Sequence, residues 1–292
     1  MLVELSSLIA ILAMTPVFSL AAFGELLDQR SGVYNLGIEG IMSVGAAMSI
    51  VGAFLGLNSW GCLLLGTVSG LPFGLLLGVL AERYKLNQLV VGFGLWLSGL
   101  GLAGSIYSVI LAPHRIIIEK LQPILFDLDP IFYLSIALVL FLMFFFSRTK
   151  YGLIITAVGQ NPRVADSAGI NVEKVRILCV TIGAGLMGLA GAYLAIDILQ
   201  GFTYGIVAGY GWIAFALVIF GRWKPSYVFL GSLLFVGITG IATRLQILGL
   251  ATIPSNFVVV LPHIGVLVVL ALAMKFARDA GVPGSLGQPY VK

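Results

Sequence analysis

The sequence predicts an all-α, polytopic membrane protein, and three observations carry that reading. Apolar residues make up 60% of the 292-residue chain and charged residues only 10%; mean hydropathy is +1.09; and long apolar runs recur from end to end. A soluble domain of this length has no interior large enough for so many apolar side chains. A run of about twenty apolar residues is, however, what a helix needs to cross the hydrocarbon core. Residues 1–292 read as one membrane domain.

Nine apolar segments follow in order: 5–24, 36–57, 60–81, 87–111, 129–147, 177–198, 205–221, 226–243 and 254–276. The first, from Leu5 to Phe23, has neither a basic stretch before it nor a small-residue cleavage site, so it reads as a retained span and not a signal peptide. The seventh is short and begins in glycine-rich sequence, which reads as a broken or re-entrant helix. Basic residues then orient the chain. With the N-terminus outside, one side collects Arg30, Arg83, Lys85, Arg148, Lys150, Arg163, Lys174, Arg176, Arg222, Lys224, Lys275, Arg278 and Lys292. The other side has only Arg115, Lys120 and Arg244. The expected topology is an external N-terminus, a cytoplasmic C-terminus, an external loop at 112–128 and a cytoplasmic loop at 148–176.

The loop at 148–176 is the longest polar stretch, and it is punctuated as a helix. Asn161 suits an N-cap, Pro162 the first helical position, and Gly169 a left-handed stop about two turns later. Asn171 caps the next span, with Glu173 in its first turn, where the macrodipole favours an acid. A short capped helix outside the bilayer reads either as a docking handle or as an ordinary polar loop.

Catalytic chemistry finds no support. His114 and His263 lack spaced metal-ligating partners, Cys62 and Cys179 read as buried thiols, and no phosphate-cradling loop is present. The net charge of +4 is what basic cytoplasmic loops produce and does not imply nucleic acid. The paired glycines, Gly92 and Gly94 among them, lie in apolar runs, where close helix packing explains them. No cofactor is expected in this chain; energy comes from a gradient or from another protein.

The densest local pattern is Gly24 to Met42, with Glu39 in or near the membrane and Asn35 one turn before it. Its Asn35-Leu-Gly-Ile-Glu39-Gly-Ile-Met42 stretch resembles the signature of permease subunits of ABC importers for nucleosides and simple sugars, within the broader family of ribose and branched-chain amino-acid permeases. Gly159, Asn161, Pro162, Ala165, Gly169 and Ile170 match that family's cytoplasmic coupling segment. The run Gly209 to Gly221 with Lys224 and Pro225, and the tail from Pro283 to Tyr290, are similar to later family motifs. Phe215, Ile219 and Phe220 are bulkier than the small residues usual there.

The resemblance implies a non-catalytic permease subunit in the cytoplasmic (inner) membrane. It pairs with a second permease subunit as a heterodimer and with two copies of an ATP-binding subunit that carry ATP and Mg. An extracytoplasmic solute-binding protein delivers the solute. It also implies that Gly159, Asn161, Pro162, Ala165, Gly169 and Ile170 contact the ATPase. Asn35, Glu39, Asn87, Gln88, Trp96, Trp212 and Asn256 are candidates for the substrate path, aromatic rings stacking on a base and amides bonding base or ribose. Simpler roles compete: Asn87 and Gln88 as a helix start, Trp96 as packing, Glu39 in a network with Asn35 or Arg30. Asp197 is expected to meet the binding protein or to cap a turn. The alternative function is an ion-coupled secondary transporter using Glu39, with Asp197 as the one other intramembrane carboxylate.

Overall fold

The computed structural model describes residues 9, 11–114, 116–247 and 281–290. Among them the chain is helical, with no strand and one isolated bridge, Leu125 to Leu128. We number the helices α1 (Thr15–Ser31), α2 (Ile38–Phe54), α3 (Ser59–Gly78), α4 (Gln88–Ile106), α5 (Pro130–Arg148), α6 (Lys150–Gln160), α7 (Pro162–Ser167), α8 (Val172–Tyr193), α9 (Tyr210–Phe220) and α10 (Pro225–Ile247). Three of them end in a π-turn: α3 at Val79–Arg83, α4 at Tyr107–Leu111 and α8 at Leu194–Ile198.

Five helical stretches are long and apolar enough to cross a membrane: Ile11–Ser31, Ser59–Arg83, Gln88–Leu111, Pro130–Arg148 and Val172–Ile198. Ile38–Phe54, Tyr210–Phe220 and Pro225–Ile241 are apolar but shorter. The expected segment at 254–276 lies outside the described residues. The seventh expected segment is an eleven-residue helix preceded by a series of turns. At about 1.5 Å per residue it is roughly 16 Å long, half a bilayer core.

The first span differs most from expectation. It does not end at residue 24 but continues through Glu25, Asp28 and Gln29, all fully buried, to a left-handed stop at Gly32 (φ 99°). Polar residues that mark a span's end on a hydropathy count here mark its most enclosed part. Glu25 and Asp28 therefore join the buried carboxylates, which Asp197 alone was expected to accompany.

Helix α8 is the central post. Gly183 lies against the Gly24 backbone of α1, Gly191 against the Met42 carbonyl of α2, and Gly188 against Gly66 of α3. A Cβ at any of the three would overlap backbone atoms of its neighbour. The main cluster of buried side chains runs along the same contacts, from Phe18, Leu20 and Phe23 through Ile41 and Met42 to Met187 and Leu194. Cys62 and Cys179 are buried and free. By contrast, α4 buries only a narrow edge, and Leu89, Val90, Phe93, Leu97 and Leu102 stand exposed.

The two ends of the bundle collect different groups. One end holds Arg30, Glu82, α6, α7, Arg176 and the segment 283–290. The other holds Tyr193, whose hydroxyl donates to the Ala13 carbonyl (3.0 Å) and to Asp129 (3.2 Å). There Asp197 accepts from the Leu121 amide at 3.0 Å and faces Lys120 at 3.9 Å. Asp197 is thus 1% exposed and holds down the loop at 116–128.

Replacing Gly191 by Val forces α8 from α2, and overpacking of this kind costs about 3 kcal/mol. We expect a clear fall in the thermal midpoint of the purified protein in detergent. Gly94→Val, at a position with nothing within 4 Å, should leave the midpoint unchanged.

Candidate functional site

Three groups of polar and aromatic residues stand out from the apolar bundle. The first is built on Glu39, in the first turn of α2 and 6% exposed. Its Oε1 accepts from the Gly209 amide at 2.7 Å and its Oε2 from the Gly211 amide at 2.8 Å. Glu39 therefore closes the N-terminus of α9, where amides have no intrahelical acceptor and the dipole is positive. The backbone turns into this position through Ala208 (φ 49°) and Gly209 (φ 89°). Both carboxylate oxygens are committed to this cap, and neither Asn35 nor Arg30 is its partner.

The Glu39 cap fixes Trp212, one turn into α9, beside Trp96 of α4. Their rings meet edge to face, 5.5 Å apart and at 84°. Phe93 lies 5.8 Å from Trp96 and 5.9 Å from Trp212. Trp96 is placed by its backbone: a Cβ on Gly40 of α2 would stand 2.6 Å from the Trp96 carbonyl oxygen. Both tryptophans are half-buried and Phe93 is 44% exposed, so this corner opens on the surface of the chain. Trp96 Nε1 has no acceptor among the described residues. Phe215 meets the ring of Tyr34 at 5.9 Å, so its bulk fills a ring contact.

The second group is the buried polar face of α1. Glu25 Oε1 accepts from Gln29 Nε2 at 2.8 Å and from the Asn35 amide at 3.4 Å. Asn35 Nδ2 donates to Asp28 Oδ2 at 3.0 Å while its Oδ1 accepts from the Gly37 amide. Trp223, in a left-handed turn after α9, donates its indole N–H to Gln29 Oε1 at 2.7 Å. Asn35 is fully buried, so in this conformation it organises the α1–α2 link and does not line an open path. Glu25 Oε2 and Asp28 Oδ1 have no partner among the described residues.

Asn87 and Gln88 serve the start of α4. The Asn87 side chain accepts from the Leu89 and Val90 amides, and Gln88, 1% exposed, bridges the Tyr34 amide to Glu82. Asn256 lies outside the described residues. Of the described path candidates, only Trp96 and Trp212 come together in an open position.

The third group is the short helix α7. Asn161 Oδ1 accepts from the Val164 amide, Pro162 opens the helix, and Gly169 (φ 82°) stops it. Asn171 caps α8 by accepting from the Lys174 amide at 2.9 Å. Ala165 is turned inward, 2% exposed against Val158 and Val172, with Ile170 half-buried beside them. Gly159 lies on the Arg30 carbonyl. These three hold the helix to the bundle; Arg163, Val164, Ser167 and Gly169 face outward.

The described residues form a helical bundle with a short capped helix between α6 and α8. Its fold is that of an ABC transporter assigned to the metal-chelate type and solved in an inward-facing conformation: TM-score 0.53 at 18% identity, covering 89% of this chain and 86% of that one. The chain belongs to the family of permease components of branched-chain amino acid transport systems, which matches residues 7–274. It is 31% identical to the nucleoside ABC transporter permease protein NupC of Lactococcus lactis, over 93% of this chain and 92% of that one. It is 33% identical to the guanosine ABC transporter permease protein NupQ of Bacillus subtilis, over 94% and 92%. TsgC13 of Haloferax volcanii, provisionally named a glucose ABC transporter permease, is 35% identical over 82% and 77%.

Glu39→Ala strands the buried Gly211 amide and the half-buried Gly209 amide, and an unsatisfied buried group costs about 1–3 kcal/mol. Destabilisation should be plain in chemical or thermal unfolding, and Trp212 fluorescence should shift as α9 loosens. Glu39→Gln keeps one acceptor oxygen and should fall between the two.

Proposed function

We propose that this chain is the membrane-spanning subunit of an ATP-driven importer for nucleosides or related simple sugars. Two ATP-binding subunits with ATP and Mg power it, a second permease completes the path, and an extracytoplasmic binding protein delivers solute. The observation that carries this reading is α7: six residues, capped at both ends, seated on the bundle by Ala165 and presenting Arg163, Val164 and Ser167 outward. A helix this short is not stable alone, so its rigidity comes from its seat. A rigid handle is what a motor subunit needs in order to move a bundle. The thirteen-to-three division of basic residues supports a cytoplasmic position for it and an external N-terminus. The relatives named for nucleoside and guanosine transport, together with the open Trp96–Trp212 corner, favour a solute with a flat face that can stack on an indole.

The alternative of ion coupling is not favoured, since the relatives are named as ABC transporter permeases, although the buried Glu25 and Asp28 each keep an oxygen with no partner among the described residues. Glu39, with both oxygens bound to the α9 backbone, is an anchor and not a relay.

Single cysteines at Val164 or Ser167 should cross-link to the ATP-binding subunit in an active complex, whereas the inward Ala165 should not. No cross-link at any outward position would remove α7 as the contact. In proteoliposomes holding the whole complex, uptake should require ATP and persist when proton and sodium gradients are collapsed. Uptake by this chain alone, driven by a gradient and lost in Glu25→Gln or Asp28→Asn, would instead establish ion coupling. Trp96→Ala and Trp212→Ala should each reduce uptake about tenfold with assembly intact, a stacking contact being worth about 1–3 kcal/mol.

A further inference from the structure

Arg176 is the largest fully buried side chain of the described residues, and it sits at the end of the bundle that carries α7. All three of its nitrogens are engaged. Nε donates to the Ser31 carbonyl (3.0 Å) at the end of α1, and Nη1 to Glu82 (3.0 and 3.1 Å) in the π-turn that ends α3. Nη1 also donates to the Gln288 carbonyl (2.9 Å), and Nη2 to Ser285 Oγ (2.8 Å). Two of these partners belong to the segment 283–290, which has no regular structure beyond a turn. That segment is nonetheless laced across the bundle. The Ser285 amide donates to the Gly159 carbonyl (2.9 Å), its hydroxyl lies 2.8 Å from the same oxygen, and the Gly287 amide donates to the Gly32 carbonyl (3.1 Å). Tyr290 packs on the apolar cluster beneath α7.

We infer that Arg176 and the segment Pro283–Tyr290 form a clasp that transmits displacement of α7 to the ends of α1 and α3, so that Arg176 is a positioning residue for energy coupling. This rests on the reading of α7 as the ATPase contact. The chain of contacts is continuous. Movement of α7 pulls Gly159 at the end of α6; Gly159 is held by Ser285; Ser285 is held by Arg176; and Arg176 grips Ser31 and Glu82. Gly159 also bears directly on the Arg30 carbonyl. Two features make the linkage stiff. A guanidinium holds several partners in one plane, which a lysine ammonium cannot reproduce. The pair with Glu82 is fully enclosed on both sides, where removing one member leaves a buried charge unpaired. Beyond Ser31, the same end of α1 carries Asp28, Gln29 and Glu25, which join Asn35 and Trp223, so a shift of α1 reaches the turn that follows α9.

The test uses the whole transporter in proteoliposomes, reading ATP hydrolysed and solute moved in the same sample. The unmodified complex is measured first; failure of ATP-dependent uptake there would count against the proposed function and not against the clasp alone. With that established, Arg176→Lys, Ser285→Ala and a chain ending at Val282 are compared. We expect each to assemble with its ATPase and hydrolyse ATP near the normal rate. Solute moved per ATP should fall about tenfold, the scale of a typical coupling between sites. Protease access to the segment 283–290 should rise in the first two. Full coupling in Arg176→Lys would mean the ion pair with Glu82 suffices and would overturn the clasp, as would normal coupling in the chain ending at Val282. If the shortened chain does not assemble, Ser285→Ala decides: normal solute per ATP there refutes the proposal, and reduced solute per ATP with normal hydrolysis supports it.

Discussion

Everything in this bundle depends on how closely α8 can approach its neighbours. Between helices in lipid there is no hydrophobic pull, and association rests on packing and polar contacts. Gly183, Gly188 and Gly191 remove the side chains that would keep α1, α2 and α3 at a distance, and backbone meets backbone. With α8 in the middle, the polar groups at its two ends become enclosed. Arg176 at one end gathers α1, α3 and the tail; Tyr193 at the other gathers the Ala13 carbonyl and Asp129. The post is stapled at both ends, and loops on either side take their positions from it.

The relation between Glu39 and α9 shows how an acid can be held in an apolar helix by a neighbouring helix start. An intramembrane carboxylate is normally suspected of function. Here a short helix begins inside the bundle, and its free amides would be stranded in an apolar setting. One side chain from α2 satisfies Gly209 and Gly211 at once. The carboxylate and the helix start each remove the other's cost, and the arrangement sets the ring of Trp212 against Trp96.

Features whose causes are local were legible in the sequence; features made by distant partners were not. The caps Asn161 and Asn171 and the left-handed Gly169 act within a few residues, so the pattern of 159–176 sufficed to draw them. The all-helical character of the described residues, with five helices long and apolar enough to cross a membrane, followed from apolar run length. By contrast, the partner of Glu39 lies 170 residues away, and nothing near residue 39 points to Gly209. Arg176 was counted among the basic residues of a polar loop, yet is fully buried, because its partners come from three separate stretches of chain. Glu25, Asp28 and Gln29 were read past the end of the first span for the opposite reason: polarity alone cannot distinguish a helix end from a helix face turned inward. Ala165 in α7 and Gly159 at the end of α6 were positions of one motif, but a motif does not say which of its residues face outward and which hold the helix in place.

The π-turns carry one further implication. A π-turn holds one residue more than the α-ladder requires, and each residue advances a helix by about 100°. In α3 the glycine contacts of the body and the aim of Glu82 at Arg176 are therefore set separately: the first by the register up to Gly78, the second by the extra residue in Val79–Arg83. The same separation holds in α8, between Gly191 in its body and Asp197 in its terminal turn. Chain length at these sites acts as an angular adjustment, allowing sequence drift in the spans to leave the end chemistry in phase. Losing a single residue between Gly78 and Glu82 would swing the carboxylate away from the guanidinium without disturbing one contact in the middle of the bundle.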